Sequence, residues 1–191
     1  MKCDIRKYFD SIPHETLYAV LERKFKDPHV LYWFRKLIET YSKTPGRGLP
    51  IGNLTSQYFA NLYLDAIDRI AAPYVRYMDD FVFWADDKTE LKSILSRVVE
   101  IATNRLGLEL RAEPFINKTR LGMDFLGLRV FPNRINLSRS SASRYFRRVR
   151  AIVADCRDER RAQERLSSMT AFVAQADTLA LRKEKLRNLY E

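Results

Sequence analysis

Cysteine, repeated segments and long apolar runs are scarce or absent in this chain of 191 residues. Its only cysteines, Cys3 and Cys156, are too far apart in sequence to indicate a disulfide framework or a metal-ligand cluster, so both are expected to be ordinary thiols. No apolar run approaches the roughly 20 residues of a membrane span. The N-terminal MKCDIRKYFD carries acids where a signal peptide needs an apolar core. These absences predict a cytoplasmic protein with no membrane partner.

The composition is that of a folded, basic protein. Hydrophobic residues make up 46% and aromatic residues 12% of the chain, which is enough for one domain with a core, or one domain with a small appendage. Lys and Arg number 34 against 24 Asp and Glu, giving a net charge of +10. Such a charge favours a polyanionic partner. Charge alone fits RNA, DNA or an anionic membrane equally well.

The order of apolar patterns predicts the fold class. Apolar residues at helical spacing predict four helices: one after Ile12, one over 30–41, one from Leu54 to Ile70 and one over 91–102. Residues 42–53 hold three glycines and two prolines and are expected to form a loop. YVRY, FVFW and residues 108–111 have the pattern of strands. Residues 125–137 have the pattern of a hairpin that turns at Pro132 and Asn133. From Ser138 the pattern is helical. We therefore expect an α+β fold, an antiparallel sheet with helices on one face, followed by a small helical segment.

Two adjacent acids interrupt the apolar stretch PYVRYMDDFVFWAD at its midpoint. The stretch is typical of a β-hairpin with Asp79 and Asp80 at its tip, and Asp4 ends another strand-like segment. If that strand lies beside the hairpin, Asp4 and Asp79 converge at one sheet edge. Clustered carboxylates repel one another unless a cation lies between them, and Mg²⁺ held this way serves phosphoryl transfer. The alternative is a pair of solvated acids in an ordinary turn.

Five motifs occur in the order typical of reverse transcriptases. DIRKYFDSI, GLPIGNLTSQYFANLYLDAID and RYMDDFVFW resemble three palm motifs, INKTR resembles the next one, and FLGLRV resembles the primer-contacting hairpin. The resemblance implies a polymerase palm over 1–137 and part of a helical thumb over 138–191. It also implies deoxynucleotide (dNTP) substrates, two Mg²⁺ ions, a template RNA and a primer or nascent cDNA.

The resemblance assigns roles to single residues. Asp4 and Asp79 match the acids that hold both ions, with Asp80 in support. Phe9 matches the steric gate whose ring occupies the space of a ribose 2′-hydroxyl. Lys118 matches the lysine proposed to protonate the pyrophosphate leaving group, a role that suits its charge. The alternative for Lys118 is an exposed surface lysine.

The second motif departs from the commoner family form. Most reverse transcriptases have Gln-Gly and Ser-Pro where this chain has Ile51-Gly52 and Ser56-Gln57. IGNLTSQ resembles the form found in diversity-generating retroelements, whose enzymes make errors at template adenines. Gly52 would let the backbone approach the nucleotide, while Ile51 would offer an apolar surface in place of hydrogen bonds. Alternatively, Ile51 packs under the sheet.

The C-terminal part is strongly basic. Residues 134–191 carry 14 Lys or Arg and 7 Asp or Glu. Five arginines of the helix predicted to begin near Ser140 could follow the phosphates of a template and primer duplex: Arg139, Arg144, Arg147, Arg148 and Arg150. The alternatives are a solvated helix surface and a contact with a retroelement accessory protein. Leu166, Met169, Phe172 and Val173 predict a further helix with one buried face.

Two other functions fit the same motifs. One is a group II intron or other bacterial reverse transcriptase, against which Ile51 and Gln57 count. The other is a non-catalytic RNA-binding remnant, against which the three intact aspartates count. No segment matches the fingers that precede the palm in this family, so the chain is expected to be a fragment of a longer protein.

Overall fold

Two units make up the chain, Met1–Ile116 and Asn117–Glu191. The computed structural model describes residues 1–111, 113–154, 159–180 and 183, so Cys156 lies outside the described residues. The predicted palm and thumb boundary, 137/138, differs from the unit boundary, because the predicted primer-contacting hairpin belongs to the second unit. Within the described part, no helix is long and apolar enough to cross a bilayer.

A small antiparallel sheet forms the centre of the first unit. Its strands are β1 (Lys2–Asp4), β2 (Tyr74–Tyr77) and β3 (Asp80–Phe83), in the order β1-β3-β2. The predicted hairpin is confirmed. Because side chains alternate along a strand, Phe81 and Phe83 point into the core while Asp80 lies on the other face.

The predicted strand over 108–111 is wrong in its extent. This segment makes only an isolated bridge between Leu110 and Ile5, with backbone bonds from Arg6 N to Glu109 O and from Arg111 N to Asp4 O. The physical reason is a change of register: the chain pairs with β1 again at Phe115, which bridges Lys2, but this bridge is out of register by two residues with that of Leu110 and Ile5, so no continuous ladder forms.

Six helices accompany this sheet in the described residues of the first unit. Asp27 caps one helix by accepting hydrogen bonds from the backbone of His29 and Val30, and Asp87 caps another by accepting from Glu90 N. The predicted third helix breaks at Leu64 into two pieces. The bounds are α1 (Tyr8–Ser11), α2 (His14–Lys24), α3 (Pro28–Glu39), α4 (Leu54–Tyr63), α5 (Asp65–Asp68) and α6 (Lys88–Glu100), the last continued by a π-helical turn (Ile101–Arg105).

The core of this unit lies between the helices and one face of the sheet. Leu17 and Leu21 of α2 and Val98 of α6 are fully buried against Phe81 and Phe83. Each such side chain contributes about 1.5–3 kcal/mol by leaving water. This packing confirms the prediction of helices on one face and leaves the opposite face of β1 and β3 available for polar residues.

The glycine-rich loop before α4 is tied to the segment after β1. Gly48 N donates to Ile12 O at 2.9 Å and Leu49 N donates to Phe9 O at 2.8 Å. The Arg47 guanidinium donates to the carbonyl groups of Ser11 and Gly107, each at 3.0 Å. The loop that contains Ile51 and Gly52 is therefore fixed beside the α1 segment.

The second unit begins with a three-stranded meander. Its strands β4 (Met123–Phe125), β5 (Leu128–Val130) and β6 (Ile135–Leu137) pair antiparallel in that order. The predicted hairpin turning at Pro132 and Asn133 is confirmed by β5 and β6. The sequence did not predict the separate strand β4, which joins β5 through a first turn at Leu126-Gly127, both with positive φ. At Gly127 an added Cβ would lie 2.8 Å from Ser141 Oγ, so this turn needs glycine.

Two helices complete the second unit, α7 (Arg139–Ala154) and α8 (Glu159–Val173). Tyr145 and Val149 of α7 are buried with Leu137 and Val173, and Leu166 and Met169 pack on them. The predicted buried face of the last helix is thus confirmed. Phe172 is the exception, because its side chain remains 41% exposed.

We expect Tyr63→Phe to lower the free energy of unfolding by about 1–3 kcal/mol. The buried Tyr63 hydroxyl donates to Leu106 O at 2.6 Å and joins α4 to the end of the π-helical turn, so its loss leaves a buried carbonyl without this donor. Urea denaturation at neutral pH measures the change. Tyr58→Phe is the matched control, because Tyr58 lies on the same helix and is 68% exposed; equal losses in the two variants would contradict the assigned role.

Candidate active site

The tight turn between β2 and β3 presents Asp79. Met78 adopts a left-handed conformation with φ 56, which is unusual for a residue other than glycine. The Arg76 guanidinium donates to Met78 O at 3.0 Å and also forms a two-point ion pair with Asp68. Since Asp68 belongs to α5, this ion pair braces the turn from the helical layer.

The sheet register brings the second acid to the same edge. Asp4 is the partner of Asp80 across β1 and β3, and Asp79 precedes Asp80 directly. Partial burial raises the pKa of Asp79, and the nearby charges of Asp4 and Asp80 and a hydrogen bond with the Asp4 carboxyl group raise it further. The register and this electrostatic coupling therefore place Asp4 and Asp79 close together, as expected from the sequence.

Two cations compensate part of this negative charge. Lys2 Nζ lies 2.9 Å from Asp80 Oδ2, and Arg111 Nη1 lies 3.1 Å from Asp4 Oδ2. No Lys or Arg in the described part of the chain forms an ion pair with Asp79. Asp80 Oδ1 is buried and has no hydrogen-bond partner among the described residues. The edge thus has three carboxylates, two cations and one orphaned carboxylate oxygen.

This donor set fits a divalent cation at two of the three acids. Mg²⁺ is commonly held by one or two carboxylates, with water and substrate phosphates completing its octahedron. Asp4 and Asp79 supply such a pair. Among the described residues, however, no group of three or more His, Cys, Asp or Glu side chains is arranged to hold an ion. Asp80 is instead held by Lys2, so its supporting role in metal binding stays a prediction.

The residues predicted to contact the nucleotide are placed as follows. Phe9 is partly buried, with its ring edge-on to Tyr8 at 5.7 Å. Ile51 is 78% exposed, so the alternative that it packs under the sheet is wrong. Gly52 has φ 104 and open space where a Cβ would lie, and Gln57 is exposed on α4. Their contact with a nucleotide stays a prediction.

The remaining predicted residues belong to the second unit. Lys118 is exposed at the start of a short 3₁₀ turn, Thr119–Leu121. The five arginines of α7 are exposed, whereas Tyr145 on the same helix is buried. The exposed surface agrees with both the nucleic-acid hypothesis and the solvated-helix alternative.

Sequence reasoning missed three residues that support the acids: Lys2, Arg76 and Arg111. A signal existed for Lys2, because it lies two residues before Asp4 and so shares its face of β1. The Arg111 ion pair joins residues 107 positions apart, and no local pattern predicts it.

Burial of the thiol nearest the acids makes it unreactive. Cys3 lies on β1 with its side chain in the core, and burial raises its pKa to about 11. The thiol therefore stays protonated near neutral pH. This agrees with the prediction of an ordinary thiol.

Comparisons with known proteins agree on one family. The family model described as "Reverse transcriptase (RNA-dependent DNA polymerase)" matches residues 1–130. The chain is 38% identical over 71 residues to an "Uncharacterized 91 kDa protein in cob intron" of Schizosaccharomyces pombe. It is 32% identical over 77 residues to a "Putative COX1/OXI3 intron 2 protein" of Saccharomyces cerevisiae. These alignments cover 34% and 36% of this chain but only 9% of each relative.

The fold has a solved relative in telomerase. A structure of Candida albicans telomerase, in complex with a TWJ fragment of telomeric RNA, matches with a TM-score of 0.53 at 14% identity. The match covers 99% of this chain and 39% of the telomerase chain. At that identity the similarity concerns the fold alone, and it agrees with the predicted α+β palm.

We expect Asp79→Asn to raise stability at pH 7 in the absence of divalent metal, by up to about 1 kcal/mol, as for a partly exposed charge interaction. Because the pKa of Asp79 is raised, wild-type stability falls as pH rises through that pKa, and the variant escapes this loss. The stability advantage of the variant should vanish below about pH 3.9, the ordinary pKa of an aspartate. Thermal melts across this pH range measure it.

The same melts test metal binding. Mg²⁺ at ten times its dissociation constant should stabilise the wild type by about 1.4 kcal/mol and the variant far less. Asp86→Asn serves as control, since Asp86 is an exposed acid of the same hairpin flank. A Mg²⁺ effect of equal size in all three proteins would contradict a site at Asp79.

Proposed function

The chain belongs to the reverse transcriptase family, and we propose that it supplies the palm, 1–137, and part of the thumb, 138–191, of an RNA-directed DNA polymerase. The observation that carries the proposal is the pairing of Asp4 with Asp80 across β1 and β3, which brings Asp4 and Asp79 to the same end of these strands. The chain spans only 9% of the curated relatives it matches. The activity is therefore proposed for the longer protein of which this chain would form the catalytic centre.

Asp4 and Asp79 would hold two Mg²⁺ ions, with Asp80 in support. When bound, such ions neutralise phosphate charge and activate the attacking oxygen. The chain's own contribution is positioning. The register of β1 and β3 fixes Asp4, and the Arg76 brace fixes the turn that carries Asp79.

Further residues would act on the substrates. Phe9 would exclude a ribose 2′-hydroxyl and so select deoxynucleotides, and Gly52 would let the backbone approach the incoming nucleotide. Lys118 would donate a proton to the leaving pyrophosphate. The exposed arginines of α7 would bind phosphates of the template RNA and of the primer or cDNA.

Within the family, we propose the diversity-generating type. The support is the IGNLTSQ motif, together with the 78% exposure of Ile51, which leaves its side chain free to meet a ligand. An apolar contact there holds a base pair with fewer directional constraints than glutamine would, so wrong pairs are rejected less strongly. An accessory protein is a further proposed partner for this type.

A second candidate is an intron-encoded reverse transcriptase. It is favoured by the two curated relatives, both named as intron proteins. Genome sequence beside the gene distinguishes the two types. A template repeat with a near-copy that differs at adenines would identify a diversity-generating element, whereas intron RNA domains around the gene would identify the second candidate.

We expect Asp79→Asn to lower primer extension on an RNA template by at least about 100-fold, because it removes one of two carboxylates proposed to hold the ions. The assay uses Mg²⁺, dNTPs and the full-length product of the gene. Asp86→Asn should retain wild-type activity. If the wild type incorporates no deoxynucleotide while still binding RNA, the non-catalytic remnant is the correct function.

We expect Ile51→Gln to reduce misincorporation opposite template adenine, because glutamine adds hydrogen-bonding groups beside the nucleotide. Sequencing of cDNA made by each enzyme from one template gives the error spectrum. Ile51→Leu is the matched control, since it keeps an apolar side chain and should keep the wild-type spectrum. An unchanged spectrum in Ile51→Gln would refute the role of Ile51 and leave the polymerase assignment untouched.

A further inference from the structure

A basic cleft lies in the helical layer of the first unit. Its volume is about 580 Å³, and α2, α4, α5, α6 and the π-helical turn line it. None of the predicted site residues lines it. Asp4 and Asp80 stand on the face of the sheet that points away from these helices, so the cleft is separate from the acidic edge.

The cleft has a surplus of positive charge. Arg23, Lys24, Arg69, Arg97 and Arg105 line it, and all five are exposed. Among the described residues of the lining, the one carboxylate is that of Asp65, which is already bound by Arg69 at 2.9 Å. In the part of the chain that the structure describes, the other four cations form no ion pair.

These four cations come from α2 and from α6 with its π-helical continuation, both of which line the cleft. Arg23 and Lys24 lie in the last turn of α2, Arg97 lies in the last turn of α6, and Arg105 ends the π-helical turn. Like charges gathered around a concave surface repel, and an anion bound between them relieves that repulsion. Three of the four are arginines, whose planar guanidinium matches phosphate oxygens at two points.

The lining also indicates which part of a nucleic acid would be bound. Bases are held by stacking on exposed aromatic rings. Tyr63 is the aromatic residue among the described residues of this lining. Its side chain is only 1% exposed, and its hydroxyl donates a hydrogen bond to Leu106 O. The cleft therefore offers charge without a stacking surface, a combination suited to phosphodiester groups and not to bases.

We propose that this cleft is a second nucleic-acid site, which binds backbone phosphates without regard to sequence. It does not depend on the polymerase chemistry at Asp4 and Asp79. It would anchor nucleic acid on the helical side of the palm, at a distance from the reacting end.

The test compares two triple variants of the full chain by fluorescence anisotropy. The cleft variant carries Arg23→Gln, Arg97→Gln and Arg105→Gln. The control variant carries Lys26→Gln, Lys88→Gln and Lys92→Gln, which remove the same charge from exposed positions outside the cleft. Probes are a mixed-sequence RNA hairpin, a single-stranded RNA and a DNA duplex, each over a salt series.

We expect the cleft variant to bind at least one probe about 10-fold more weakly than the control does. Its plot of log affinity against log salt should be shallower by about 2, since each phosphate contact contributes about 0.7–0.9 to the slope. The probe with the largest loss identifies whether RNA or DNA phosphates use the cleft. Equal affinities and slopes in the two variants for every probe would overturn the proposal.

Two further measurements keep the test decisive. Thermal melts check that the variants fold. If the triple cleft variant does not fold, a double variant with Arg97→Gln and Arg105→Gln replaces it, and its control is the double variant with Lys88→Gln and Lys92→Gln.

Poly-glutamate of matched charge serves as competitor. It should displace nucleic acid only weakly, and cleft-dependent binding of poly-glutamate as tight as that of RNA would overturn the nucleic-acid assignment in favour of an acidic protein partner. Failure here is distinct from failure of the polymerase proposal, because anisotropy measures nucleic-acid binding whereas the role of Asp79 is tested by primer extension.

Discussion

The antiparallel register of β1 and β3 is the constraint on which the candidate active site depends. It pairs Asp4 with Asp80 and, because side chains alternate, it turns both acids away from the face that carries Cys3 and Phe81. A slip of one residue would bury the acids and expose the aromatic ring. The same apolar packing that fixes the helices on the sheet therefore also fixes where the carboxylates lie.

Charge compensation at this edge is incomplete. Lys2 and Arg111 each approach one carboxylate, while Asp79 lies near Asp4 and its pKa is raised. An uncompensated carboxylate costs on the order of 1 kcal/mol where it is partly exposed. Burial of Phe81 and Phe83 contributes about 1.5–3 kcal/mol each, so the aromatic flanks of the hairpin can offset this cost. The apolar run around the acids is thus an energetic requirement as well as a structural one.

Local signals predicted much of this structure, and the failures have a common cause. The hairpin of β2 and β3 and the helices before and after it follow from period and turn chemistry, and the meeting of Asp4 with Asp79 follows from strand order. The turn at Leu126 was missed because leucine rarely adopts a positive φ. The ion pair of Arg111 with Asp4 was missed because it depends on how the chain returns to β1. Both features depend on tertiary contacts, which a local sequence pattern does not contain.

Acidic and basic surfaces make opposite demands on a protein that handles nucleic acid. Carboxylates suited to binding metal repel phosphates until a cation is present, so they add little to the affinity for a template or primer. The net charge of +10 must therefore act elsewhere. The cleft cations, such as Arg97 and Arg105, and the exposed arginines of α7 are separated in sequence from the acids. Division of the two tasks in this way would let nucleic acid remain bound by its phosphates while metal and nucleotide exchange at the acidic edge.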